Sequence, residues 1–162
     1  MGSIANASME NAIKEIMSTK LETIDITENA QEVAKKMNHK RISSVLVIDK
    51  NKSEEEPVGI ITERDLVDRI CTTGASSRTV SVREIMSSPI ATIEKQATVE
   101  TAADLMLSNK VRHLLVVDEQ TRRPIGIVAP SDLNKYLRAN IDMDEVNARI
   151  LKAIEAEDMI ER

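Results

Sequence analysis

The stretch Gly59-Ile60-Ile61-Thr62-Glu63-Arg64-Asp65-Leu66 returns 67 residues later as Gly126-Ile127-Val128-Ala129-Pro130-Ser131-Asp132-Leu133. Across Pro57–Leu66, 5 of 10 positions are identical to their counterparts. Working outward, Ile16-Met17-Ser18 matches Ile85-Met86-Ser87 at an offset of 69. Thr23-Ile24 then falls on Thr92-Ile93, and Leu46-Val47 with Asp49 falls on Leu115-Val116 with Asp118. Between residues 16 and 49 there are 10 identities in 34 positions, and a polar loop two residues longer in the first copy accounts for the change of offset. Self-similarity at this period marks a duplicated supersecondary unit.

Each copy reads as βαββα. A short strand (Thr23 to Ile26; Ala91 to Ile93) leads to a helix with Asn29 or Thr98 at its N-cap. Val33, Ala34 and Met37, or Ala102, Leu105 and Met106, form that helix's apolar stripe. A nearly continuous apolar strand follows, Val45 to Ile48 or Leu114 to Val117, as expected for burial on both faces. After a polar turn come a second strand (Val58 to Ile61; Ile125 to Val128) and a closing helix, from Glu63 to about Cys71 or from Pro130 to about Ala139. The expected fold class is α+β, with repeats at 12–71 and 82–139 joined by the linker 72–81. One copy is too small to bury its strands alone, so the two are expected to pack sheet to sheet as a pseudo-twofold pair. In residues 141–162 the apolar positions Met143, Val146, Ile150 and Ile154 are spaced as in an amphipathic helix. Packing on its own module or across a homodimer is the expected use, and docking a partner is the alternative.

Composition narrows the function. A net charge of −5 gives no bulk attraction for nucleic acid or anionic lipid. The longest apolar runs are too short to span a bilayer. A single cysteine, Cys71, excludes an internal disulfide and fits a reducing, cytoplasmic setting. With no Trp, no Phe and only Tyr136, a bound base has to lie between aliphatic side chains, and single-stranded nucleic acid lacks its stacking platforms. His39 and His113 do not have metal-ligand spacing with each other or with Cys71, so no metal site is expected. No Ser-His-Asp or Cys-His order and no Walker-type loop is present, so the chain is not expected to be an enzyme.

The strand-to-helix corner is where chemistry concentrates. Gly59 permits close backbone approach, and Thr62 stands at the N-cap with Asp65 three positions on. A helix start presents unpaired N–H groups and the positive dipole end to an anion, and Arg64 adds a guanidinium. Asp65 can accept from sugar hydroxyls. Thr-x-x-Asp is equally a capping box that needs no ligand. In the second copy Ala129 cannot cap through a side chain, yet Asp132 is kept, which suggests a further use for that carboxylate, although a lone aspartate at a helix start also stabilises the dipole.

Two βαββα copies ending in G-h-h-T-x-x-D resemble a pair of CBS domains, the Bateman module, over about residues 12–139. The resemblance implies two clefts that bind adenosine compounds: AMP foremost, ADP, ATP or S-adenosylmethionine, as regulatory ligands with no required cofactor. By position, one cleft would use Thr62, Arg64, Asp65 and Ser44, with Ser87, Thr92 and Val111 facing the base. The other would use Arg112, His113, Ser131 and Asp132, with Ser18, Thr23, Ile42 and Ser43 opposite. Ala129 lacks the usual hydroxyl, and Ser43 and Ser44 carry no charge where the second copy has Arg112 and His113, so unequal affinities are expected. The resemblance also implies a homodimer of four units and a partner protein whose activity the ligand adjusts. A ligand-free scaffold or dimerisation module is the competing expectation.

Overall fold

The computed structural model of the chain describes residues 12–140 and 143–160. Two three-stranded sheets carry the fold. In the first, β1 (Thr23–Asp25) pairs parallel with β2 (Ser44–Asp49), and β2 pairs antiparallel with β3 (Ser53–Thr62). In the second, β4 (Thr92–Glu94), β5 (Leu114–Val117) and β6 (Pro124–Val128) repeat that order and those directions. The crossover helices are α1 (Ala30–Lys40) and α4 (Val99–Asn109). Their N-caps are the expected ones, since Asn29 accepts from the Glu32 N–H and Thr98 from the Thr101 N–H. Both helices end in a left-handed residue, Arg41 and Lys110, which stops the helix and turns the chain toward β2 or β5.

Every residue of β2 and of β5 is buried. Side-chain alternation explains how. Val45 and Val47 face a core shared with Val33, Met37 and Ile61, while Leu114 and Val116 do the same with Ala102, Met106 and Val128. Leu46 and Ile60 face the other way and meet Leu115, Val117 and Ile127 of the second sheet. The two halves therefore pack sheet on sheet, as expected from the repeat. Each such aliphatic side chain, once buried, contributes about 1.5–3 kcal/mol.

Each repeat is preceded by a short helical segment that the sequence reading left unassigned. A single 3-10 turn, Ile13–Glu15, opens the described chain, and α3 (Val82–Ile85) occupies the matching place before the second sheet. These segments are exchanged. Ile13, 0% exposed, fills the core of the second half, while Val82 and Ile85 fill that of the first. Backbone bonds fix the exchange: Ser87 and Ile60 bond reciprocally at 2.9 and 3.0 Å, and Ser18 and Ile127 do so at 2.9 Å. Gly59 and Gly126 leave room for it, because a Cβ at either would lie 2.6 Å from the sulfur of Met86 or Met17.

The closing helices differ. In the first copy α2 (Glu63–Leu66) runs into a wider π turn over Val67–Cys71, whereas α5 (Pro130–Asn140) is a regular helix. Beyond it α6 (Met143–Ile160) forms as the apolar spacing predicts. It does not settle on its own module, because Ile150, Leu151 and Ile154 are 52%, 60% and 52% exposed. Two and a half turns of apolar stripe find no matching groove within the chain among the described residues. Met143 and residues 157–160, which complete the stripe, have side chains outside that description.

Candidate functional site

The β3–α2 corner is held by a complete capping box. The Thr62 N–H donates to Asp65 Oδ2 at 2.8 Å, the Thr62 hydroxyl donates to the same oxygen at 3.1 Å, and the Asp65 N–H donates to Thr62 Oγ1 at 3.3 Å. The other oxygen, Oδ1, accepts from the Ser87 hydroxyl at 3.4 Å and lies 3.8 Å from the Arg69 guanidinium. The Asp65 side chain is only 14% exposed. Arg64 beside it is 73% exposed and pairs with Asp68 at 3.5 Å on the surface, which leaves much of its guanidinium open to an incoming anion.

At the β6–α5 corner the hydroxyl is missing but half of the box survives, with the Ala129 N–H donating to Asp132 Oδ2 at 2.8 Å. That bond fits the helix-start use of the carboxylate: three residues into a helix it is useful to the backbone even without a capping hydroxyl. The persistence of Asp132 is therefore not, by itself, a sign of a ligand.

Between the two corners lies a cavity of about 530 Å³. Its polar lining comes from Thr62, Glu63, Arg64, Asp65 and Asp68 of the first half, and from Lys110, Arg112, His113 and Ser131 of the second. Its apolar lining includes Ile60, Pro89, Ala91 and Val111. His113 bridges the halves, its Nε2 lying 3.2 Å from Ser43 Oγ. Burial, and secondarily the Arg112 guanidinium, hold its imidazole below the ordinary value, against the opposing pull of Asp132, Asp65 and Glu63. Close to the wall, Arg69 donates to the carbonyls of Ile85 at 2.8 Å and Met86 at 3.0 Å.

The cavity brings together Ser43, Thr62, Arg64, Asp65, Ser87, Val111, Arg112, His113 and Ser131 of the expected site residues. It does so across the expected division, since Ser43, Arg112, His113 and Ser131 were grouped with the other cleft. Ser44 is buried at the start of β2, and Thr92 is exposed, paired in register with Leu115. Ser18 is tied through its backbone to Ile127. Thr23 lines a separate surface groove with Lys36 and Lys40, and Ile42 lines a shallow one with Met37 and Leu66. Sequence reasoning missed Pro89, Ala91 and Arg69, for which the repeat carries no signal because Lys20, Glu22 and Tyr136 stand at the matching positions, and Lys110, whose cationic counterpart Arg41 was there to be read.

The CBS domain profile matches residues 13–72 and 82–139. The chain belongs to the CBS domain family. CBS domains are regulatory modules. An uncharacterised protein of Methanopyrus kandleri is 40% identical over 119 residues, 72% of this chain, and the match spans 59% of that relative's length. Among solved structures, a CBS domain protein of Pyrobaculum aerophilum complexed with AMP superposes with a TM-score of 0.66 at 22% identity, covering 75% of this chain and 88% of the other. The CBS domain of a bacterial CNNM/CorC family Mg2+ transporter in complex with ATP superposes at 0.69 and 21% identity, covering 85% and 94%. At such identities these two likenesses concern the fold. No helix among the described residues is long and apolar enough to cross a membrane.

Proposed function

We propose that the chain is a regulatory sensor that binds an adenine nucleotide in the cavity between its two strand-to-helix corners and thereby alters its fit to a partner protein. The observation that carries this is the polarity of one cavity. Ile60, Pro89, Ala91 and Val111 in its lining suit a base that finds no aromatic ring, and the same lining holds the Asp65 carboxylate and the cations Arg64, Arg112 and Lys110 beside Glu63 and Asp68. A nucleotide has parts to match each of these: a flat base, ribose hydroxyls that donate to a carboxylate, and phosphate that accepts from guanidinium. The volume, about 530 Å³, is in the range of small-molecule sites. Relatives of this fold complexed with AMP and with ATP support the same ligand class. The reading includes AMP as the preferred ligand, a cytoplasmic homodimer, and a regulatory rather than a catalytic role.

Binding can regulate only through different affinities for two arrangements of the module. The scaffold reading draws on a specific observation, that both carboxylates are employed in helix capping without any ligand. A thermal-shift panel of AMP, ADP, ATP and S-adenosylmethionine separates the two. Wild type is expected to gain several degrees with at least one nucleotide, since a ligand at 100 times its Kd adds about 2.7 kcal/mol. Asp65→Ala loses a cap and starts from a lower Tm, so the measured quantity is the ligand-induced increment, which is expected to vanish. An unchanged increment would move the site away from Asp65; no increment in wild type would leave the scaffold. With one Tyr and no Trp, co-purified nucleotide would also dominate the ultraviolet spectrum.

A further inference from the structure

Arg69 reaches both the corner carrying Asp65 and the segment exchanged from the other half. Two of its contacts are firm, to the carbonyls of Ile85 at 2.8 Å and Met86 at 3.0 Å. Two are loose, to Ser87 Oγ at 3.5 Å and Asp65 Oδ1 at 3.8 Å. Asp65 is thus pinned through Oδ2 by its own capping box, while Oδ1 is held only by contacts at 3.4 Å or longer. An incoming hydroxyl can take the place of Ser87 at Oδ1, beside the Arg69 guanidinium, without disturbing the helix start. The firm contacts hold the segment that leads through Ser87 to Pro89 and Ala91, the apolar wall of the cavity.

We propose that Arg69 is a positioning residue for nucleotide binding: it fastens the exchanged segment to the Asp65 carboxylate, so that the ribose acceptor and the base-facing wall are placed as one unit. The inference rests on the nucleotide reading above and adds a source of asymmetry between the halves. Tyr136, which is buried, stands at the matching position of the second copy. A phenol supplies neither the charge nor the forked pair of donors that lets one guanidinium take two successive carbonyls. The Asp132 corner therefore lacks this tie to Ile16 and Met17, and a nucleotide there would meet a carboxylate and a wall that are positioned independently.

The consequence is for ribose recognition rather than for binding at large. Calorimetric titration of the full chain with AMP and with 2′,3′-dideoxy-AMP reads it directly. Wild type is expected to favour AMP about tenfold or more, the usual effect of hydrogen bonds to a charged group. Arg69→Met is expected to narrow that ratio to about threefold or less, while Arg69→Lys, which keeps the charge and one carbonyl bond, recovers part of it. A purely structural role would weaken both ligands equally and leave the ratio unchanged, which overturns the proposal. If Arg69→Met does not fold, the Lys variant alone decides: a ratio equal to wild type overturns the positioning role, and an intermediate one supports it. A wild type that binds neither ligand overturns the nucleotide reading and this inference with it. A wild type that binds and discriminates, beside Arg69 variants that match it, overturns this inference alone.

Discussion

Among single residues, His113 is the one whose surroundings make a pH-dependent forecast. It lies in the cavity wall between Arg112 on its own strand approach, Asp65 and Glu63 across the cleft, and Asp132 beside it, with Ser43 as hydrogen-bond partner. Burial, then Arg112, keep the folded imidazole below its ordinary value. As pH falls through about 6.5 the unfolded chain takes up this proton first, so acidification favours unfolding. The carboxyls held below their usual range are Asp25 by the Thr27 hydroxyl, Glu84 by the Ser81 N–H and Asp118 by the Lys95 ammonium. They stay charged in both states above about pH 5.5 and add no slope there. Wild type is therefore expected to lose more Tm between about pH 7.5 and 5.5 than His113→Gln does; equal losses would remove His113 as the source. A phosphate beside His113 would reverse the sign, stabilising the imidazolium, so nucleotide affinity is expected to rise over the same descent. How far the site was legible follows from the same residues. Thr62, Arg64, Asp65, Arg112 and His113 stood out because repeated corners and a departure from the repeat are both visible in one sequence. Arg69 did not, since a lone arginine in a polar helix face has the pattern of any solvated residue, and its carbonyl partners lie 16 and 17 positions away.

At the element scale, the strands and crossover helices were legible because each carries a pattern longer than its period. Caps at Asn29 and Thr98, alternation through β2 and β5, and the polar turns all agree with one another. The 3-10 turn at Ile13–Glu15 and the four residues of α3 are shorter than any periodicity can register, and their destination in the opposite half is not a local property at all. The closest trace of it in the sequence is the pair of glycines. A methyl group at Gly59 would meet Met86 sulfur at 2.6 Å, an adaptable side chain, and the Ser87 carbonyl at 3.1 Å. At Gly126 it would meet Met17 sulfur at 2.6 Å and the Ser18 carbonyl at 2.9 Å, and backbone cannot give way as cheaply. Both alanine variants are expected to be destabilised in urea unfolding by about 1–3 kcal/mol, with Gly126→Ala the worse. The reverse order, or no effect, would mean that the exchanged segments are not seated against β3 and β6 as described.

For the whole molecule, the exchange decides whether two repeats behave as two folding units or one. A repeat defined by sequence, 82–139, lacks the Ile13 side chain that closes its core and exposes Val82 and Ile85, which belong to the other core. The sheet-on-sheet face adds a second dependency, because Leu46 and Ile60 stay dry only against Leu115 and Ile127. Neither half can lower its free energy fully without the other, so thermal unfolding of the chain is expected as one calorimetric transition rather than two. Ile13→Ala gives the stringent test. It deletes a fully buried side chain at a cost of about 2–5 kcal/mol, near the whole stability of many domains. If the halves were independent, the loss would appear only in the second repeat, and the first would keep its hydrogen-exchange protection. With exchanged cores, the slowest amides of β2 and of β5 are expected to lose protection by the same factor, although Ile13 belongs to the core of the second half. Protection lost in β5 alone would show that the two sheets, however closely packed, open separately, and a ligand held between them could then be released by one half moving without the other.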